Sequence, residues 1–66
     1  MKTETRDELL RAVESLAKQY PHWRLGQLIC NAAGWADVDV WDVEDEHLLD
    51  AIRKQQDYQR SVAPAQ

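Results

Sequence analysis

Few residues of this chain have the type and spacing needed for metal binding or nucleophilic catalysis. The candidate transition-metal ligands are His22, Cys30 and His47, whereas a zinc site needs several such side chains that converge. If positions 22 and 30 share one helix, they lie about 12 Å apart along its axis, too far to hold one ion. Cys30 falls on a side of small residues, where a buried and unreactive thiol is expected. We therefore expect no metal, no cofactor and no enzyme activity.

Seven carboxylates and no lysine or arginine lie between positions 37 and 50. The start of this stretch resembles a calcium-binding loop, but Trp41 stands at the third ligand position and Leu48 stands where a bidentate glutamate is required. One interpretation is that the later acids stabilise a helix N-terminus through its dipole. The alternative is a negative patch that contacts a basic partner or imitates the backbone of DNA. This patch consists of Asp37, Asp39, Asp42, Glu44 and Glu46.

A narrow polar face on the second predicted helix is the other candidate site, and it comprises Arg24, Gln27 and Asn31 with Trp23 at its border. These side chains offer several hydrogen bonds, and an arginine can hold a carboxylate in a fork. In one interpretation they clamp the loop 35–43 by its backbone, with the arginine on an acid of that loop or on Asp45. We favour this reading because an irregular loop leaves backbone groups in need of partners. In the functional interpretation they form a recognition surface together with Trp41.

The charge balance disfavours several classes of function. Twelve acidic residues face eight basic ones, for a net charge of −4, and binding to nucleic-acid phosphates needs clustered lysine and arginine. A helix-turn-helix protein is disfavoured too, since the second predicted helix offers only Arg24 and the third begins with acids. No apolar stretch approaches membrane length, and the start of the chain lacks the pattern of a secretory signal. With one cysteine and no signal, we expect a cytoplasmic protein.

Three segments show the apolar spacing of amphipathic helices and predict one all-α domain over residues 1–66. In the first, Thr5 and Glu8 match a capping box, and Pro21 should end the helix just before it. We expect order over about 5–57, fraying at residues 1–4 and disorder from residue 61 onward. The predicted helices are Thr5 to about Tyr20, Pro21 or His22 to about Ala33, and Glu44 or Asp45 through Lys54 and on toward Tyr58.

The second predicted helix has the widest apolar face. Its apolar and small positions cover roughly 200° of a helical wheel, which predicts a central helix contacted on more than one side. Gly26 costs about 1 kcal/mol relative to alanine in mid-helix, so we expect another helix to pack closely there. Gly34 is predicted to be the left-handed residue that ends the helix. The core-facing residues of this helix should be Leu25, Leu28, Ile29, Ala32 and Ala33.

After this helix the chain alternates acidic and apolar residues without a partner strand, so we expect an ordered loop. At least one of its apolar side chains should enter the core, and the candidates are Val38, Val40, Trp41 or Val43.

Residues 20–49 resemble a group of short uncharacterised bacterial proteins. The resemblance rests on a Pro-x-x-Arg-x-Gly-Gln-Leu-x-x-Asn motif that starts at Pro21, and on an acid-rich stretch before Leu48 and Leu49. It implies a single domain in a bacterial or phage setting and brings no catalytic residues with it.

Taken together, the sequence predicts a non-enzymatic interaction module or accessory protein with a protein partner. The predicted contact surface joins Trp23, Arg24, Gln27, Asn31 and Trp41. The alternative is a small acidic inhibitor or DNA mimic that uses the negative patch. A homodimer formed through Tyr58 and Val62, or through an uncovered tryptophan, is also considered.

Overall fold

A computed structural model describes residues 3–62 of the chain, with side chains through residue 59. The three helices are α1 (Thr3–Gln19), α2 (Leu25–Trp35) and α3 (Asp45–Val62), and residues 3–62 contain no strand. The predicted three-helix fold with an ordered loop before the last helix is confirmed. Helix α3 continues through residues 61 and 62, beyond the predicted extension toward Tyr58, and the expected disorder of the tail stays a prediction. The expectations for residues 1, 2 and 63–66 lie outside the described residues.

Helix α1 begins two residues earlier than the capping box predicted. Thr5 and Glu8 both lie inside the helix, so the box does not form. Glu4 in the first turn favours the earlier start because its charge complements the helix dipole. At the other end α1 stops at Gln19, just before the Tyr20-Pro21 pair, as predicted.

A turn at residues 21–23, not a helix, connects α1 to α2. The rings of Tyr20 and Trp23 stack with centroids 4.2 Å apart and planes 6° from parallel, and the Trp23 N–H donates to the Tyr20 carbonyl at 3.1 Å. Arg24 then has extended backbone angles and precedes the first helical residue, Leu25. The predicted start at Pro21 or His22 is wrong because this stacked turn fixes a non-helical backbone before α2.

Helix α2 ends in a Schellman motif that uses an aspartate in place of a glycine. Gly34 is helical, and the left-handed residue is Asp37 with a φ of 60°. The Asp37 N–H donates to the Gly34 carbonyl at 3.0 Å and the Val38 N–H to the Ala33 carbonyl at 3.2 Å, which are the two bonds of that motif. The prediction for Gly34 is wrong because aspartate tolerates the left-handed region unusually well and here takes that position three residues later.

Helix α3, not α2, holds the domain together. It packs extensively on α1 and also contacts α2, whereas α1 and α2 touch each other least. Three side-chain bonds join successive positions of α1 and α3, so the two helices run in the same direction. These bonds are Arg6 to Asp45 at 2.6 Å, Arg53 to Glu8 at 3.2 Å and Gln56 to Ser15 at 3.3 Å.

The core consists of aliphatic side chains from all three helices. Leu16, Leu28 and Ile52 are its largest fully buried members, and Ile29 is half-buried against them. The cluster comprises Leu9, Leu16, Leu28, Ala32, Leu48, Leu49 and Ile52. Every helix therefore contributes to one continuous core, and α3 contributes most.

The outer side of α2 is not covered by another helix. Leu25 is 64% exposed, and a Cβ added at Gly26 would meet nothing within 4 Å. The predictions of a core-facing Leu25, of close packing at Gly26 and of a central second helix are therefore wrong. The wide apolar face of the helical wheel does not predict the buried face of α2, because this short helix packs against its neighbours along one side only.

Candidate interaction loop

Trp41 is the most exposed large apolar side chain of the described residues, at 91% exposure. It lies in the loop between α2 and α3, in a hydrogen-bonded turn. The Asp39 carboxylate accepts the backbone N–H of Trp41 at 2.8 Å. The Asp39 carbonyl accepts the backbone N–H groups of Asp42 and Val43 at 2.9 and 3.0 Å. An aspartate that opens a turn and accepts from the backbone two residues on is a common turn-forming device. The backbone that carries the exposed indole is therefore ordered.

Both ends of this loop, residues 37–44, are fixed to the helices. The Schellman motif at Asp37 holds the first end. At the other end Val43 packs against the core, and the Glu44 carbonyl accepts the Leu48 N–H at 2.9 Å, which starts α3. Of the loop side chains predicted to enter the core, Val43 does and Val38 is half-buried. The prediction that Val38, Val40, Trp41 or Val43 enters the core is met by Val43, whereas Val40 and Trp41 are 42% and 91% exposed.

The acidic residues of the loop surround Trp41 in the chain. Asp37, Asp39, Asp42 and Glu44 are all exposed. Glu46, also exposed, lies in the first turn of α3. The five residues of the predicted negative patch therefore lie on the loop or directly after it.

Asp45 serves a structural role at the start of α3. It accepts a 2.6 Å hydrogen bond from the Arg6 guanidinium, and this bond, together with the carboxylate charge, raises the pKa of Arg6. The prediction offered Asp45 as one partner of Arg24, but the structure assigns it to Arg6 on α1.

The predicted polar face lies at the start and on the outer side of α2. Arg24 and Gln27 are exposed and Asn31 is half-buried. Within residues 3–59 no side-chain hydrogen bond joins this face to the loop. The loop holds itself through Asp39, so the expected clamp does not form, whereas the role of this face in recognition stays a prediction.

Trp23 belongs to an aromatic cluster at the edge of the core. It stacks on Tyr20 and lies 6.5 Å from Trp35, with ring planes tilted by 47°. In the described part of the chain no ring contact joins this cluster to Trp41. The five residues of the predicted contact surface therefore divide into three groups. These are the half-buried Trp23, the polar side chains of Arg24 just before α2 and of Gln27 and Asn31 on it, and the exposed Trp41 on a separate loop.

The other groups considered for chemistry are the Cys30 thiol and the possible metal ligands. Cys30 is an exposed free thiol, so the expectation of a buried one is wrong. Among residues 3–62, no group of three or more histidine, cysteine or acidic side chains could hold a metal ion. An open groove of about 420 Å³ lies between α1 and α3, where Arg53 donates to Glu8. Its lining residues are Glu8, Arg11, Ala12, Arg53 and Gln56.

Comparison with models of protein families, with curated proteins and with solved structures found no match to this chain. The resemblance to short bacterial proteins therefore stays a prediction. In the described range no helix is both long and apolar enough to cross a membrane.

Sequence reasoning missed the role of Asp39. It counted this residue only as a negative charge, although the structure shows that it forms the turn beneath Trp41. Aspartate is favoured at the first position of a type I turn, but Asp37 and Asp42 share that preference, so the sequence does not single out Asp39.

Proposed function

We propose that the protein is a non-enzymatic interaction module that binds a protein partner through the loop 37–44, with Trp41 as its anchor. One observation carries this proposal: an indole that is 91% exposed on a backbone held by Asp39. Tryptophan is among the residues that most often dominate binding energy at interfaces. Because the turn is already ordered, little conformational entropy is lost when a partner closes over the ring.

Single exposed apolar residues are common on protein surfaces and need no function. Leu10, Leu25 and Tyr58 are such residues here, at 58%, 64% and 61% exposure. Trp41 is larger and more exposed than these three residues, and unlike them it lies on a turn that the Asp39 carboxylate holds by accepting the Trp41 backbone N–H. These differences favour a binding role over incidental exposure.

The proposed setting follows the sequence predictions. We place the protein in a bacterial cytoplasm, and we assign the outer polar residues Arg24, Gln27 and Asn31 an accessory role beside the main anchor. Cell fractionation tests the compartment. Binding measurements on Arg24→Ala test the accessory role, which predicts a smaller loss than for Trp41→Ala.

Quantitative affinity capture from a bacterial cytosolic extract tests the anchor. The bait is wild type, Trp41→Ala or Tyr58→Ala, where the last is a matched loss of an exposed aromatic ring on α3. We expect specific proteins to be retained by wild type and Tyr58→Ala and lost with Trp41→Ala. Because Trp41 is exposed, its replacement should change the free energy of unfolding by less than about 0.5 kcal/mol. Retention of the same proteins by folded Trp41→Ala would refute the proposal.

A second candidate function is a small acidic inhibitor or DNA mimic that binds through its carboxylates alone. The exposure of Asp37, Asp39, Asp42 and Glu44 on one loop favours it. Binding carried by these charges should weaken steeply with salt, because exposed charges are screened within about 10 Å at 0.1 M ionic strength. Under this candidate Trp41→Ala should keep the partner, which distinguishes it from the first.

A further inference from the structure

The loop 37–44 collects acidic side chains that have no cationic partner in the described part of the chain. On α1 and α3 several carboxylates pair with cations, as in Glu8–Arg53 at 3.2 Å and Asp50–Lys54 at 3.1 Å, although Asp7 and Asp57 are in no ion pair within residues 3–59. No ion pair within residues 3–59 involves Asp37, Asp42 or Glu44. The sequence has no lysine or arginine from position 37 to position 52. The loop is therefore a region of uncompensated negative charge.

The negatively charged residues lie on both sides of Trp41 in the sequence. Asp37 and Asp39 precede Trp41, and Asp42 and Glu44 follow it. A partner surface that covers the ring must approach these carboxylates closely, and like charges opposed across an interface cost several kcal/mol. An acidic partner, including a second copy of this chain with its net charge of −4, is thus disfavoured at this loop.

We infer that the partner of this loop is a protein surface with an apolar slot flanked by lysine or arginine side chains. This inference rests on the proposed function, because it takes Trp41 as the anchor. The slot receives the indole, and the flanking cations meet the carboxylates. Arginine is well suited to flank the slot for two reasons. Its guanidinium can stack on an exposed indole, and it can bind a carboxylate with two parallel hydrogen bonds.

The two kinds of contact have separate effects on binding. The buried indole lengthens the life of the complex, whereas the carboxylates mainly raise the association rate, by about tenfold or more in charge-steered complexes. The inferred partner needs both the apolar slot and the cations. This distinguishes it from the partner of a purely acidic inhibitor and from the partner of a purely apolar contact.

A random dodecapeptide phage library is the probe that tests the inference. It is selected on wild-type protein after depletion on Trp41→Ala. We expect enriched peptides that combine apolar residues with an excess of lysine and arginine. Neutral or acidic peptides that still depend on Trp41 would overturn the inference and leave the proposed function standing. The absence of any Trp41-dependent peptide would overturn both.

A charge-neutralised loop then tests the role of the carboxylates with one synthetic selected peptide. The variant carries Asp37→Asn, Asp42→Asn and Glu44→Gln, and asparagine tolerates the left-handed backbone at position 37. The control removes three exposed charges elsewhere, by Asp7→Asn, Glu14→Gln and Asp57→Asn. We expect about tenfold weaker binding for the loop variant and less than about twofold for the control. Equal losses in both would overturn the inference, because they would mean that only net charge matters.

Discussion

Replacing Asp39 tests whether the turn beneath Trp41 is held as the structure shows. Asp39→Ala removes the carboxylate that accepts the Trp41 N–H at 2.8 Å and leaves the backbone bonds to Asp42 and Val43 in place. Asp39→Asn is the matched control, since it removes the charge and keeps an oxygen that can accept this bond. The pair of variants therefore separates the hydrogen bond from the charge.

The size of the effect follows from one exposed hydrogen bond. Such a bond contributes about 1 kcal/mol net, which corresponds to about a fivefold change in an equilibrium constant. Local opening of the turn should therefore become about fivefold more frequent in Asp39→Ala. The free energy of global unfolding should change little, because Asp39 is exposed and its bond to Trp41 lies outside the buried aliphatic cluster.

Amide hydrogen exchange at Trp41, followed by NMR, measures this opening. We expect protection of the Trp41 N–H to fall about fivefold in Asp39→Ala and less than about twofold in Asp39→Asn, which keeps the acceptor. Affinity for a peptide that depends on Trp41 should fall more in the alanine variant than in the asparagine variant. Equal protection in wild type and Asp39→Ala would refute the role of the carboxylate in the turn. Equal losses in both variants would mean that the charge, not the bond, holds the loop.

Three further predictions test the fold. Ile52→Ala should lower the free energy of unfolding by about 2–5 kcal/mol because Ile52 is fully buried; a smaller loss in urea denaturation than for exposed Leu10→Ala would contradict this core. Gly34→Ala should raise stability by up to about 1 kcal/mol, since the glycine is helical and its added Cβ meets nothing within 4 Å; a lower melting temperature would count against it. The exposed Cys30 thiol should react with a disulfide reagent in the folded protein at a rate within about tenfold of that in urea, and strong protection would show that it is covered.

The candidate site could be predicted from the sequence only in part. Trp41 and the acids around it were candidates by residue type, because tryptophan is common at binding hot spots and carboxylates can meet a basic partner. Their arrangement could not be predicted, since it depends on which loop residue accepts which N–H group. Asp39 and Asp42 have the same side chain, and only the backbone geometry makes Asp39 the acceptor for Trp41.

The sequence by itself determined the number of helices and the order in which they follow. Apolar residues at helical spacing, such as Leu9 and Leu16 or Leu48 and Ile52, bury on one side of a helix whatever it packs against. The stop before Pro21 was determined in the same way, because it reflects a local clash in the backbone. These features depend on neighbours in the chain.

The tertiary structure decided which faces are covered. Leu25 and Leu28 both lie on the predicted apolar face of α2, yet Leu25 is 64% exposed and Leu28 is 1% exposed. The difference arises because residues of α1 and α3 cover Leu28 and leave Leu25 exposed. The local sequence pattern does not determine which of the two is covered. The same holds for the tryptophans: Trp23 and Trp35 find partners at the edge of the core, while Trp41 lies on a turn that carries it into solvent.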